Sequence, residues 1–217
     1  MQEIETPPAQ PTPGRRASIS REEILHATLS LLGPHRSLSS LSLREVARAT
    51  GMAPNSFYRH FSDMDALAIA LIDLAGTTLR RIIGEARHRA TAERSVVRSS
   101  VEAFMEQLNT NQKLLHVLLR EGSVGSPAFR DAVERELRFF EEELCTDLKR
   151  LAEINNTGLY QPELTARAIT RLVFAAGTSA MELSPEQHAS FTYELCIMVR
   201  MIIVGTQTMS RNQENRL

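Results

Sequence analysis

Cysteine is scarce in this sequence, and its histidines are widely scattered. The 217 residues include only two cysteines, Cys145 and Cys196, which are far apart and form no C-x-x-C pair. This predicts neither a disulfide framework nor a zinc site, and a reduced cytoplasmic protein is the simpler interpretation. No two of the six histidines stand three or four residues apart, which excludes a metal-binding helix of the H-E-x-x-H type.

Motifs typical of enzymes, exported proteins and membrane proteins are also missing. The sequence contains no G-x-S-x-G elbow, P-loop or G-x-G-x-x-G. We therefore do not expect this protein to be an enzyme. A nucleophilic pair of Cys145 with a distant histidine is the remaining catalytic alternative. No run approaches 18 uninterrupted apolar residues, and the N-terminus lacks a signal-peptide pattern. A soluble cytoplasmic protein without metal, cofactor or membrane partner is expected.

Alternation of apolar and polar residues never persists, so no β-strand is predicted. Apolar residues instead recur three and four apart, which predicts an all-α fold of about nine helices, and a hydrophobic content of 42% is ample for a buried core. Residues 15–90 carry 11 basic and 7 acidic side chains, whereas the chain from residue 91 onward carries 14 basic and 17 acidic ones. The basic N-terminal part is the one expected to meet DNA.

The stretch 41–61, LSLREVARATGMAPNSFYRHF, predicts two short helices joined by a tight turn, as in a helix-turn-helix. Ser42 and Glu45 form a capping box at the first helix, and Gly51 can adopt the left-handed conformation that ends it. Pro54 suits the first turn of the second helix. The outer face keeps side chains that read base edges or hold phosphates, although a merely solvated helical hairpin is the alternative. The predicted DNA-contacting residues are Ser42, Arg44, Pro54, Asn55, Ser56, Tyr58, Arg59 and His60.

The string SLSLREVARATGMAPNSFYRHF closely resembles the TetR family of transcriptional regulators. It is also similar to the subgroup of FabR and DesT, repressors of unsaturated fatty-acid synthesis. The resemblance implies a repressor that binds a palindromic operator in double-stranded DNA as a homodimer and responds to a small molecule. One departure stands at Ser62-Asp63-Met64-Asp65, where many members carry a lysine that contacts a phosphate. Two carboxylates there argue against such a contact.

Composition and helix signals divide the chain into four predicted parts. Residues 1–14, with four prolines, form a disordered tail. Residues 15–61 form a three-helix head, whose first helix opens with a Ser20–Glu23 capping box. Residues 62–90 form a connecting helix capped by Ser62, and residues 91–217 form the ligand-binding and dimerisation domain. Arg15 and Arg16 could lie along a minor groove or be merely solvated.

Five helices are predicted in the larger domain. They cover residues 91–109, 113–121, 127–155, and long stretches from Pro162 and from Pro185. Residues 122–125 are predicted to break the second of these helices. The last two carry broad apolar surfaces that suit a four-helix interface with a two-fold mate. A purely structural dimer and packing within one chain are the alternatives.

The resemblance to FabR and DesT implies a long apolar tunnel for the acyl chain of a long-chain fatty acyl-CoA, saturated or unsaturated. A drug or another apolar metabolite is the alternative effector. Each candidate residue is by itself ordinary core material. The predicted ligand-binding residues are Phe104, Met105, Leu108, Leu115, Leu118, Leu119, Phe140, Leu144, Phe174, Ala175, Gly177, Thr178 and Met181. Cations for the phosphates of coenzyme A would come from Arg94, Arg98, Lys113, Arg120, Arg167 or Arg171.

Overall fold

The structure is a computed structural model, and it describes residues 19–32, 36–89, 96–109 and 113–214. Within these ranges the chain contains nine α-helices, one short 3-10 helix and no strand, which confirms the predicted all-α fold. The helices are α1 (Arg21–Leu31), the 3-10 helix (Leu38–Ser40), α2 (Leu43–Thr50), α3 (Pro54–Phe57), α4 (Met64–His88), α5 (Val96–Asn109), α6 (Lys113–Val124), α7 (Pro127–Ile154), α8 (Pro162–Ala180) and α9 (Pro185–Glu214). The predicted tail and the Arg15–Arg16 pair lie outside the described residues.

The head comprises α1, the 3-10 helix, α2 and α3 around a small apolar core. Its first helix begins as predicted, because the Ser20 side chain accepts the Glu23 N–H while Glu23 accepts the Ser20 N–H at 2.7 Å. Ile24, Val46 and Phe57 are fully buried in this core. The core fixes how α2 and α3 lie on α1.

Helix α4 joins the head to the larger domain. It begins at Met64 and is capped by Asp63, whose side chain accepts the Ala66 N–H at 2.7 Å. The predicted cap, Ser62, is wrong by one residue: the Ser62 hydroxyl instead donates to the Asp63 carboxylate at 3.1 Å. A carboxylate is also favoured there because it faces the positive end of the helix dipole. Further along, α4 packs against α5, α6 and α7.

Helix α6 runs further than the sequence predicts. The predicted break at residues 122–125 is wrong at its start, because α6 continues through Gly122 to Val124. Glycine inside a helix costs only about 1 kcal/mol relative to alanine, which packing can offset. A Cβ at Gly122 would lie 3.2 Å from Cγ1 of Val133, so the missing side chain allows α7 to approach closely.

The other boundaries agree closely with the helix signals. Helix α7 begins at Pro127, with Ser126 as its cap, and α8 and α9 begin at Pro162 and Pro185 as predicted. Helix α5 is described from Val96; residues 91–95 of the predicted helix lie outside the described part.

Helix α9 keeps much of its apolar surface uncovered. Among the described residues, only its stretch Pro185–Asn212 is long and apolar enough to cross a membrane, with a mean hydropathy of 1.4. By length and composition alone this is weak evidence of a membrane segment. Tyr193, Met201 and Val204 are 68%, 67% and 53% exposed on it.

Candidate DNA-reading head and effector cavity

The turn between α2 and α3 depends on the backbone of Gly51. This residue has φ +69° and ψ 17°, which is the left-handed region. Its N–H donates to the carbonyls of Ala47 and Arg48 in the last turn of α2. Met52 then donates to the Ala47 carbonyl at 3.0 Å. A Cβ added at Gly51 would meet nothing within 4 Å, so the glycine is required by its conformation and not by space.

The start of α2 is held by a cluster of hydrogen bonds on Glu45. One of its carboxylate oxygens accepts the N–H and the hydroxyl of Ser42 at 2.9 and 2.8 Å. The other accepts Nη2 of Arg36 at 2.6 Å. Together, with Arg36 as the largest contributor, these donors lower the pKa of Glu45 to about 2. The predicted capping box is confirmed, and the Arg36 bond additionally fastens it to the segment after α1.

The second reading helix is shorter than the sequence predicts. Only Pro54–Phe57 is α-helical, and the chain then tightens, with the His60 N–H donating to the Phe57 carbonyl at 2.9 Å. The tightening returns the Phe61 ring to the core, where it packs 5.6 Å from Phe57. Tyr58 is left outside, 60% exposed.

None of the eight predicted DNA-contacting residues is buried in the core of the head. Six are exposed and two, Ser56 and His60, are half-buried; the exposed ones are Ser42, Arg44, Pro54, Asn55, Tyr58 and Arg59. Within the described residues, Arg44 and Arg59 take part in no salt bridge. Their positive charge is therefore available to an external anion.

Helices α4 and α7 of the larger domain are joined by a ladder of ion pairs. Arg80 pairs with both Glu136 and Glu143, and Arg87 donates from Nε to Oδ2 of Asp147 at 2.6 Å. A displacement of α4 against α7 must therefore break or exchange them.

A cavity of about 110 Å³ lies between α4, α5, α7, α8 and α9, and its wall is almost entirely apolar. Four of the predicted ligand-binding residues line it: Phe104, Phe140, Leu144 and Phe174. The Phe174 ring lies 5.5 Å from that of Phe104 and 5.1 Å from that of Phe140, so the three rings form one aromatic wall.

The other predicted ligand-binding residues lie elsewhere. Met105, Leu108, Leu115, Leu118 and Leu119 are buried in the general core, and Gly177 is buried behind Phe104. Ala175 and Thr178 are exposed, and Met181 is half-buried. Helical periodicity selects buried faces, and it does not distinguish a cavity wall from packed core.

Four polar residues also line the cavity, and sequence reasoning did not select them: Arg87, Ser100, Asp147 and Thr170. Arg87 is only 8% exposed. A charged residue near the end of a long helix ordinarily lies in solvent, and its partner Asp147 is 60 residues away. The sequence contained no local signal for this pair.

Of the six basic residues predicted to hold phosphates, the five that the structure describes do not line the cavity. Arg171 bonds the carboxylates of Glu134 and Glu141, which raise its pKa. Lys113 donates to the Ser30 carbonyl at 2.7 Å, in the head. Arg94 lies outside the described residues.

Comparison with known proteins assigns the head. Residues 24–71 match the sequence profile of the bacterial regulatory proteins of the tetR family. The match covers the helix-turn-helix and the start of α4, so this part of the chain is similar to the bacterial regulators of that family. Regulators of that family bind DNA operators as homodimers and respond to small-molecule effectors.

Solved structures share the whole fold. A protein described as a TetR-family transcriptional regulator from Rhodococcus sp. superposes with a TM-score of 0.68 at 20% identity, over 84% of this chain and 97% of that one. A TetR-family regulator from Cytophaga hutchinsonii gives a TM-score of 0.67 at 16% identity, covering 86% and 94%. The fatty acid degradation regulator FadR from Bacillus halodurans gives 0.66 at 15% identity, covering 82% and 98%. At these identities the likeness establishes the TetR-like fold.

Proposed function

We propose that this protein is a TetR-family repressor that binds a palindromic operator as a homodimer, and that it binds the operator more weakly or more tightly when an apolar effector enters the cavity between α4, α5, α7, α8 and α9. Residues 15–61 are the reading head, 62–90 the connecting helix and 91–217 the effector-binding and dimerisation domain. The observation that carries the proposal is the outer surface of the head, where Arg44 and Arg59 are exposed without a carboxylate partner among the described residues.

In this proposal two groups of side chains in the helix-turn-helix have different roles. Asn55 and Arg59 can form the hydrogen-bond pairs that distinguish base edges, whereas Ser42, Arg44, Ser56, Tyr58 and His60 hold phosphates and fix the register. The exposed Pro54 opens α3 at the DNA side. Two such heads must present themselves roughly 34–36 Å apart to enter successive major grooves.

The dimer interface that we propose is the outer face of α8 and α9. Met198, Met201 and Val204 of α9 and Leu164 of α8 are exposed large apolar residues. Apolar surface of this extent on a soluble chain is typical of a protein interface. Pairing α8 and α9 with their two-fold mates would cover it in a four-helix arrangement.

Long-chain fatty acyl-CoA is the effector that we propose for the cavity. The apolar wall with its three phenylalanine rings suits an acyl chain, and the fold neighbour FadR is described as a regulator of fatty acid degradation. At about 110 Å³ the cavity accommodates only part of a long chain, so binding must widen the space between α4, α5 and α7. The target genes would then be those of unsaturated fatty-acid synthesis.

The size of the cavity favours a second candidate effector, a compact drug or other apolar metabolite. An engineered apolar cavity of about 150 Å³ binds benzene. The somewhat smaller cavity of this chain, about 110 Å³, is therefore closer in size to a compact molecule than to a long acyl chain. Either effector acts by binding one head spacing more tightly than the other, and the coupling expected is about 1–3 kcal/mol.

An operator titration tests both candidates. A palindromic duplex is first selected from a random pool with the full chain, and its affinity is then measured by fluorescence anisotropy. A saturated acyl-CoA, a cis-unsaturated acyl-CoA, coenzyme A alone and a small aromatic are added in turn. A change of roughly 5–150-fold with the acyl-CoAs alone supports the acyl effector. A change with the aromatic alone supports the compact metabolite, and no change with any compound contradicts both.

A further inference from the structure

The Arg87–Asp147 ion pair separates two spaces in the larger domain. On one side lies the apolar cavity, and on the other a wider polar cleft of about 570 Å³ between α4 and α7, here called the outer cleft. Arg87 and Asp147 line both spaces. The ion pair between them, with 2.6 Å from Nε to Oδ2, therefore lies at the border between the apolar cavity and the outer cleft.

Arg87 has hydrogen-bonding capacity that the pair does not use. A guanidinium carries five N–H donors, and within the described residues only Nε of Arg87 makes a hydrogen bond. Its Nη2 lies 3.9 Å from Glu143, beyond hydrogen-bond distance. A Cβ added at Gly84 would lie 3.9 Å from this Nη2 atom. The glycine therefore places no side chain beside the guanidinium.

Asp147 has a second cation within reach. Nη2 of Arg150, one turn further along α7, lies 3.5 Å from the Asp147 Oδ1 atom. If another anion took its place on Arg87, Asp147 could therefore remain paired. The exchange would leave neither the buried cation nor the carboxylate without a partner, and this is the condition under which a buried ion pair can be exchanged without a large loss of stability.

We propose that the effector is an amphiphile with an anionic head, a carboxylate or a phosphate, whose tail occupies the apolar cavity and whose head replaces Asp147 on Arg87 at the border with the outer cleft. The proposal deepens the effector-binding part of the function above and rests on it. Thr77 and His88 also line the outer cleft and can donate to the remaining head-group oxygens. A neutral or cationic head gains nothing from Arg87 and leaves the existing pair intact.

The exchange also explains how occupancy would reach the head. Arg87 and Arg80 are both on α4, and their carboxylate partners are on α7. Moving Asp147 from Arg87 to Arg150 removes one of the bonds that hold α4 to α7. Helix α4 then has a different set of allowed positions, and its N-terminus directly follows the reading helix.

The test is a binding experiment without DNA, on the full chain. Four probes of one chain length are compared by calorimetry: an alkyl carboxylate, an alkyl phosphate, the alcohol and the alkylammonium. We expect both anions to bind at least about tenfold more tightly than the alcohol, because charge-assisted hydrogen bonds are the stronger ones. Equal affinity of the alcohol and the anions would overturn the proposal; tighter binding of one anion identifies the head group.

Two substitutions of the same pair give opposite predictions. Arg87→Met should reduce binding of the anions by about tenfold or more and leave the alcohol unchanged. Asp147→Asn should strengthen binding of the anions, because the competing carboxylate is gone. A purely structural ion pair would instead weaken every probe in both variants, and that result contradicts the proposal. If Arg87→Met does not fold, binding of the four probes is compared in Arg87→Lys and Asp147→Asn. Lysine keeps the positive charge of Arg87 but not the forked N–H donors of the guanidinium.

Arg81→Met is the matched control. Arg81 lines the outer cleft but is exposed and paired with Glu85 at 2.8 Å, so its loss should change no probe appreciably. The experiments distinguish failure of the amphiphile site from failure of the proposed repressor function. Anion binding that depends on Arg87 but never alters operator affinity would overturn the effector-linked repressor and leave the amphiphile site standing.

Discussion

Glu121 of α6 accepts the backbone N–H of Leu38 at 2.8 Å, and this bond ties the larger domain directly to the reading head. The Ser37 hydroxyl donates to the same carboxylate at 3.0 Å, and Glu121 is only 1% exposed. At the other end of α6, Lys113 donates to the Ser30 carbonyl. Helix α6 therefore fastens the head at two points, in addition to the continuous connection through α4.

Loss of the Glu121 carboxylate should loosen the head. Glu121→Ala leaves the buried Leu38 N–H without an acceptor and should lower the free energy of unfolding by about 1–3 kcal/mol. Glu121→Gln keeps an acceptor and should cost less. Denaturant unfolding measures the stability, with the exposed Glu142→Ala as control. Identical unfolding curves for Glu121→Ala and the control would contradict the stabilising role of the bond between Glu121 and the Leu38 N–H.

The Gly51 turn gives a backbone prediction. Gly51→Val forces a β-branched residue to φ near +69° and should destabilise the chain by about 1–2 kcal/mol or more. Gly51→Asn, which tolerates the left-handed region, should cost much less. Thermal unfolding of both variants distinguishes conformation from space, since a Cβ at this position meets nothing. Equal losses in the two variants would contradict the assignment.

Glu45 should give the head an acid-sensitive component of stability. Its pKa in the folded chain is about 2, below the ordinary value of 4.5, so its ionised form is bound more strongly in the native state. The contribution is complete above about pH 4.5 and is lost as the pH falls toward 2. The stability difference between wild type and Glu45→Gln should therefore shrink over that window. A difference that is constant from pH 7 to pH 2 would contradict the prediction.

Local signals in the sequence predicted the head and most helix boundaries. The capping boxes at Ser20 and Ser42, the turn at Gly51 and the helix starts at Pro127 and Pro162 depend on residues within four positions of one another. Their geometry is fixed by covalent neighbours, so the pattern alone carries the information.

The cavity and its polar border could not be predicted in the same way. Phe104 and Leu115 have the same periodicity, yet Phe104 lines the cavity and Leu115 fills the core. The pairs Arg87–Asp147 and Glu121–Leu38 join residues 60 and 83 positions apart. Only packing of the helices brings these residues together. Nothing in the local sequence distinguishes Arg87, Asp147 or Glu121 from the charged residues of a solvated helix face.

Gly177 should control the shape of the aromatic wall. A Cβ at this position would lie 2.7 Å from Cζ of Phe104, so Gly177→Ala must displace that ring into the cavity. We expect weaker binding of any apolar effector and a loss of stability of about 1–3 kcal/mol. Thr178→Ala, at an exposed neighbouring position, is the control and should bind normally. Unchanged effector affinity in Gly177→Ala would place the effector elsewhere.

The head as DNA reader is the central claim, and the salt dependence of operator binding tests it most directly. Anisotropy titrations of the full chain are made over a series of salt concentrations with wild type, Arg44→Ala, Arg59→Ala, Tyr58→Ala and the distant exposed Arg138→Ala. For wild type and Arg138→Ala, the logarithm of the operator affinity should fall steeply and linearly with the logarithm of the salt concentration, because phosphate contacts release counterions. Arg44→Ala, at a phosphate contact, should reduce that slope by about one. The account is contradicted if the wild-type response is flat, or if the head variants bind as the Arg138 control does.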